Sequence, residues 1–449
     1  MSRPGGGTRS ALGVALFVVA VALGQFAVAL AAARRPGEAV LLVVAVGVLV
    51  AALAFPRVVL VMALLATMFP QRVGPEALNL SVTDAMGVLG LLAAVRFVPW
   101  NDRRVRLVVG ALLVYLGCIA VSLIAHHPQR AVLEWFHRGI LFGGSVLIGI
   151  AIVRAGASRP ALRTFALVTS GIAVAASIEA VRTGFEPAYV FQLQKNHAGL
   201  LLAAGFLVLY AAAGQLAWPP KALMAMRVLM ILGLAATQSR AAALGLVAAL
   251  AVRPLLLGRR GVQGRISIGI VLMCVALVAI SAVSVNVNDL SRPADEQSFT
   301  SINTRTSAYE QAIQEVWVKN RFVGGGLRYF LTPGGGYVTP HNVVVGEMAE
   351  AGLFGLFGLL LLLTATVLAL RRSTSQLAIL GMMALVLRIT QGLADIFWVA
   401  GPLTAILILV GMGLADEPSD DRPAPARKAN RGTSRLVAPA GVLRKGGTR

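Results

Sequence analysis

The sequence predicts an all-α polytopic integral membrane protein of about 14 transmembrane helices, and three observations carry that expectation. Hydrophobic residues make up 57% of the 449 positions and charged residues 13%, with a mean hydropathy of +0.79, too little polar surface to enclose a water-soluble globule. Apolar runs recur at lengths near the roughly 20 residues that cross a hydrocarbon core of about 30 Å. Basic residues collect in short clusters between those runs, as orientation by the positive-inside rule requires.

Taken in order, the expected spans are 11–33, 39–55, 57–69, 83–99, 107–125, 132–153, 161–181, 197–217, 222–238, 241–257, 266–286, 341–370, 376–396 and 399–415. Pro56 and Arg57 divide a stretch that barely accommodates two crossings, so a re-entrant pair or a single span there would change the count. The first run follows Arg3 and Arg9 and ends in Ala31-Ala32-Ala33, which has the look of a secretory signal. Its length decides for a span, because a signal's apolar region is about 7–15 residues. Residues 1–415 thus form a transmembrane domain, 287–340 a large loop between the eleventh and twelfth spans, and 416–449 a disordered basic tail rich in Pro, Arg, Lys and Gly.

Forty Lys and Arg against 19 Asp and Glu give a net charge of +21, which in a soluble protein would raise nucleic-acid binding. Here the basic groups mark one membrane side instead: Arg103-Arg104 with Arg106, the segment Arg154 to Arg163, Arg259-Arg260 with Arg265, Arg371-Arg372 and the tail residues Arg427, Lys428 and Arg431. That side is the cytoplasm, so both termini lie inside and 182–196 and 287–340 face outward. Cys118 and Cys274 both fall in apolar runs, offering neither a disulfide framework nor a zinc site. Within the outer loop, Tyr309, Ala312, Ile313, Val316 and Trp317 keep helical spacing, which predicts an amphipathic helix from about Asn303 to Lys319 on the membrane surface.

The candidate chemistry gathers on the outer side. His126, His127, His137, His197 and His341 all fall at or near that face, as do Lys195, Asn196, Gln238, Arg305 and Asn342. Arg138, Arg240, Glu350 and Arg388 need a polar cavity or partners, because a charge in a bilayer costs several kcal/mol otherwise. Arg240 opens a span after Gln238-Ser239 and is either a snorkelling interface residue or a ligand for an anion. Arg305 starts the surface helix four residues before Tyr309, and a helix N-terminus with an arginine suits phosphate. His341 precedes a long apolar helix whose positive end favours a neutral imidazole able to accept a proton; the alternative is a structural hydrogen bond. Glu350 and Arg388 fall at comparable depths, about 13.5 and 15 Å from the outer ends of adjacent antiparallel helices, and are expected to pair or to share a cavity. There is no DxD, HExxH, CxxC or phosphate-loop motif, so a metal-dependent sugar-nucleotide transferase, a zinc hydrolase and a nucleotide-driven pump lack their parts, and no cofactor or metal is expected. Gly324-Gly325-Gly326 and Gly334-Gly335-Gly336 read as turns and hinges.

Gln238-Ser239-Arg240, Arg305 before an aromatic-bearing helix, Phe322-Val323-Gly324-Gly325-Gly326, and His341-Asn342 with Glu350-Ala351-Gly352-Leu353-Phe354-Gly355 resemble, in that order, the O-antigen ligase and polymerase (Wzy-type) family over about residues 190–370. The resemblance implies a GT-C-like membrane glycosyltransferase, multi-pass in a bacterial cytoplasmic membrane with its active site outward. It implies an undecaprenyl-diphosphate-linked glycan as donor, a glycan, lipid or protein hydroxyl as acceptor, the bilayer as a further partner, no nucleic acid, and an inverting, metal-independent reaction. On it, Arg240 and Arg305 match donor-diphosphate arginines, His341 the base, and Lys195-Asn196-His197 a supporting segment, with Asn342, Glu350 and Arg388 further supporting residues. Asn320-Arg321 stands where the family has Pro before Gly-x-Gly, and Tyr309 where Trp is common.

Two other readings compete. A lipid-linked oligosaccharide flippase or other polytopic transporter would line a path through the full membrane depth with polar groups, whereas these concentrate outward. A peptidoglycan polymerase of the SEDS type would need a carboxylate base in the outer loop, where Asp289, Asp295 and Glu296 are the candidates.

Overall fold

The computed structural model describes residue 50 and residues 54–69, 71–73, 80–126, 129–256, 309–331 and 340–415. The expected spans at 11–33 and 266–286, most of 39–55, Arg305, His127, residues 287–308 and 332–339 of the outer loop, and the tail 416–449 lie outside those residues.

Among the described residues the chain is helical apart from one two-residue antiparallel pair, β1 (Arg72–Val73) with β2 (Leu80–Ser81). The helices are α1 (Pro56–Ala66), α2 (Val82–Ala94), α3 (Arg103–His126), α4 (Gln129–Gly139), α5 (Ser145–Arg154), α6 (Ser158–Arg182), α7 (Lys195–Ala211), α8 (Pro220–Thr237), α9 (Arg240–Leu256), α10 (Val343–Leu370), α11 (Gln376–Gly392) and α12 (Pro402–Leu414). Five described helical stretches are long and apolar enough to cross a membrane: Arg103–His126, Ala131–Arg154, Ser158–Arg182, Pro220–Thr237 and Val343–Leu370. The second of these joins α4 to α5 through a wider helical turn, Ile140–Gly144. Shorter apolar helices are α1, α7, α11 and α12.

Local chemistry fixes the ends. Ser81 caps α2, accepting from the Asp84 backbone N–H while the Asp84 carboxylate accepts from the Ser81 N–H at 2.8 Å. Asn342 caps α10, its Oδ1 accepting from Val344 N at 2.9 Å and Val345 N at 3.2 Å. The helix therefore begins at Val343, which puts His341 one residue outside the cap rather than in the first turn.

Packing follows small residues. In α5 and α12, Gly149 and Gly411 let two backbones touch: a Cβ at Gly149 would fall 2.0 Å from the Ile408 carbonyl, and one at Gly411 2.0 Å from that of Val146. α10 packs chiefly against α3, and α11 against α9 and α12. The sequence expectation of α10 and α11 as close neighbours across Arg371-Arg372 is thereby corrected; the short connection turns the chain, but the apolar face of α10 is taken by α3.

The expected uninterrupted helix after His341 is corrected as well. At Gly352 the backbone is left-handed and extended, φ 63° and ψ −156°, dividing α10 into an upper and a lower part. The segment 321–326 fills the break: Leu353 and Phe354 donate to the carbonyls of Arg321 (2.8 Å) and Phe322 (3.3 Å), while Gly325 and Gly326 donate to those of Ala349 (2.8 Å) and Glu350 (3.1 Å). Broken backbone inside a membrane protein persists only where such partners satisfy it. Just before this segment, two residues of the expected amphipathic stripe, Ala312 and Val316, are buried, while Ile313 is exposed. Ala312–Trp317 is a wide turn in which Val318 N donates to Ile313 O, and buried Ala312 and Val316 pack with Phe330 and Ala349.

Candidate functional site

The site is built around a cation. Arg138, on α4 and 2% exposed, meets carboxylates from two helices: Glu134 one turn earlier at 3.3 Å, Glu347 of α10 at 2.9 Å, and Glu350 of α10. Its Nη1 also donates to the Tyr115 hydroxyl at 3.2 Å, which in turn donates to Glu347 Oε1 at 3.1 Å. Trp398 closes the arrangement, its indole N–H donating to Glu347 Oε2 at 3.1 Å and its ring stacked on Tyr115 with centroids 5.6 Å apart. The Arg138 guanidinium lies 5.0 Å from the Trp398 ring centre.

The 309–331 segment supplies a second guanidinium. Arg328 Nε donates to Glu134 Oε2 at 2.7 Å and its backbone N–H to Glu350 Oε1 at 3.2 Å, from a left-handed backbone at φ 61°. A non-glycine residue holds that conformation only where its surroundings over-determine it, as these two bonds do. Beside this cluster His137 bonds the Asp84 carboxylate at 2.8 Å. Two arginines thus face three glutamates, and the cluster tends to the negative.

Arg388 is placed differently. It is 1% exposed and bonds only neutral oxygens: Gln391 Oε1 at 2.7 Å, Ile396 O at 2.8 Å and Phe397 O. Gln391 Nε2 donates onward to the Asn196 carbonyl at 3.4 Å, and Ser239 Oγ to Asn196 Oδ1 at 3.1 Å, so α11, the start of α7 and the start of α9 form one hydrogen-bonded corner.

A cavity of about 500 Å³ is bounded by both groups. The Glu134, Arg138, Arg328, Glu347 and Glu350 cluster lines it, as do Asp84, His137, Asn196, His197, Asn342, Arg388, Gln391 and Trp398. Of the residues singled out from the sequence, His137, Arg138, Asn196, His197, Asn342, Glu350 and Arg388 therefore share one cavity. Lys195 opens α7 beside it, and His341 stands next to the cap, its carbonyl accepting from the Tyr309 hydroxyl at 3.1 Å. Arg240 opens α9 next to Ser239 with an exposed side chain. None of these three lines the cavity.

Glu350 and Arg388 share the cavity but do not pair. Arg138 claims Glu350, and α11 is held against α9 and α12, so Arg388 bonds within its own helix end and the following turn. Glu134, Glu347, Tyr115, Arg328 and Trp398 were missed by sequence reasoning. A signal existed for two of them: Glu134 stands four residues before Arg138, and Glu347 three before Glu350, each an i,i+3 or i,i+4 repeat of charge in an apolar stretch.

Residues 225–360 match the family described as O-antigen ligase. No curated protein matches the chain. The matched stretch contains α9, the 309–331 segment and most of α10, with Glu347 and Glu350; α4 and α11, which bring Arg138 and Arg388, lie outside it.

Proposed function

From the O-antigen ligase domain that residues 225–360 form, we propose that this protein is a membrane glycosyltransferase. It moves a glycan from undecaprenyl diphosphate to a hydroxyl acceptor at the outer face of a bacterial cytoplasmic membrane. The observation that carries the reading is the charged cavity at one end of the helices, to which the family-matched segment contributes Asn342, Glu347 and Glu350. Orientation is supported by Arg103, Arg104, Arg154, Arg371 and Arg372, which sit at the helix ends away from those that line the cavity.

In this reading the acceptor oxygen attacks the anomeric carbon opposite the diphosphate, the new C–O bond inverts the configuration, and the lipid diphosphate leaves with the electron pair of the broken bond. His341 takes the hydroxyl proton, and Arg240 and Arg305 hold the diphosphate, whose developing charge fixed cations stabilise. Lys195, Asn196 and His197 support the donor from the start of α7. A lipid diphosphate is already an activated leaving group, so nucleotide and metal are not needed.

The test is reconstitution of the full chain in vesicles with a lipid-linked glycan and acceptor. Glycan transfer with equimolar release of polyprenyl diphosphate, persisting in EDTA, is the expected result. Movement of intact lipid-linked glycan between leaflets without diphosphate release would establish the transporter instead.

A further inference from the structure

Two buried guanidiniums line the cavity, and their partners differ in charge. Arg138 is opposed by Glu134, Glu347 and Glu350. Arg388 makes no ion pair among the described residues, Asp395 of the same cavity wall acting on it only from beyond that distance, and its buried Nε–H has no hydrogen-bond partner. The two are set apart by adjacent aromatic rings, Arg388 lying 4.9 Å from the Phe397 ring centre and Arg138 over that of Trp398.

We infer that Arg388, with the first turn of α7, forms an oxyanion subsite of the cavity. It takes a phosphate group or a carboxylate, which supplies the directly bonded counter-charge that Arg388 lacks.

Three features support this assignment. Gln391 Oε1 and the carbonyls of Ile396 and Phe397 fix the plane of the guanidinium without cancelling its charge, which leaves a rigid, preorganised cation. A buried charge with no carboxylate in direct contact is unfavourable, and in membrane proteins such a residue marks a ligand or ion site. The cavity wall beside Arg388 also carries two helix N-termini without side-chain caps. Asn196 and His197 belong to the first turn of the 17-residue α7, and Pro402 starts the 13-residue α12. His197 sits against the α12 cap, since a Cβ at Gly401 would fall 2.8 Å from its Cε1. The positive ends of both helices therefore add to the field of Arg388.

One ligand chemistry has two sources. The oxyanion is either the diphosphate of a lipid-linked donor or the carboxylate of an acidic sugar in the glycan. Only this choice of sources rests on the transferase reading; the subsite rests on the geometry.

The experiment measures binding to the full chain in detergent with three probes: geranylgeranyl diphosphate, geranylgeraniol and glucuronate. The parent protein is expected to bind an oxyanion probe and to gain thermal stability from it, while the uncharged prenol gives no comparable shift. Arg388→Gln is expected to weaken that binding at least tenfold, with Arg388→Lys intermediate. Gln391→Glu keeps the side-chain shape and places a carboxylate on the atom that already accepts from Arg388. It is expected to neutralise the cation internally and to weaken binding by a similar factor, so the inference stays testable if Arg388→Gln fails to fold. Preference for diphosphate assigns the donor as source, and preference for glucuronate assigns the glycan. Parent-like affinity in Gln391→Glu or in folded Arg388→Gln, or no oxyanion binding by the parent, overturns the subsite. Arg388-dependent binding in a protein that releases no polyprenyl diphosphate in vesicles would instead refute the transferase reading and leave the subsite intact.

Discussion

Arg138 Nη1 and Glu347 Oε2 stand 2.9 Å apart although 209 residues separate them in the chain, and their contact binds α4 to the upper part of α10. With Glu134 and Glu350 on the same guanidinium, the cluster holds the cavity wall as one unit.

Arg138→Met is expected to lower the unfolding free energy by about 3–5 kcal/mol, because it strands buried carboxylates without a cation. Glu347→Gln should cost less, since the amide still accepts from Trp398 or Tyr115. Denaturation of the single and double variants in detergent measures the coupling, expected at about 0.5–3 kcal/mol for residues in direct contact. Additive single effects would show that the pair is not coupled.

Gly352→Ala is expected to abolish folding, whereas Gly346→Ala, on the same helix, should be tolerated. A Cβ at Gly352 would sit 2.3 Å from the Phe322 carbonyl, on a backbone at φ 63° that a side chain strains. A Cβ at Gly346 meets only the Pro340 carbonyl at 3.9 Å, and alanine there should gain about 0.5–1 kcal/mol in helix propensity. Size-exclusion profiles of the two variants decide the matter; a monodisperse, parent-like Gly352→Ala protein would contradict the insertion of the loop in the break.

What the sequence could and could not convey divides along physical lines. The apolar runs that become α3, the α4–α5 stretch, α6, α8 and α10 are visible because a bilayer demands length and apolarity, both local properties. The gathering of Asn196, His197, Asn342, Glu350 and Arg388 was foreseeable because ionisable groups in spans must find polar company. Which company they find depends on helix packing. The short connection between α10 and α11 predicts that Glu350 and Arg388 pair or share a cavity; they share it without pairing, because α11 is seated by distant segments, at Gly245 of α9 and Gly413 of α12. The break at Gly352 was hidden for the same reason: its hydrogen-bond partners, Arg321 and Phe322, belong to a different element.

Topology gives a further expectation. Reporter fusions at residue 335 should be active only outside the cytoplasm, and fusions after Ala415 only within it, because the positive-inside rule assigns the arginines at the connections α2–α3, α5–α6 and α10–α11 to the cytoplasmic side. Cytoplasmic activity at residue 335 would reverse the orientation and move the cavity to the wrong side for an outward acceptor.

The roles of His341 and Arg240 are separable by kinetics, because a proton acceptor and a donor-binding cation act on different quantities. If His341 is the base, His341→Ala removes an interaction made only as the hydroxyl loses its proton, so kcat should fall by about 10²–10⁴-fold with little change in donor KM. If Arg240 holds the diphosphate before and during transfer, Arg240→Ala should raise donor KM and lower kcat/KM; Arg240→Lys, keeping charge without the planar fork, should fall between. His341 lies one residue outside the cap of α10 and does not line the cavity. Its role therefore requires the acceptor to bring the hydroxyl to the mouth formed by Asn342 and Pro340 rather than to the Arg138 cluster. Glu350, inside the cavity, provides the contrast. A His341→Ala enzyme with parent-like kcat, alongside a Glu350→Gln enzyme that binds donor but does not turn over, would transfer the base assignment from the imidazole to the carboxylate.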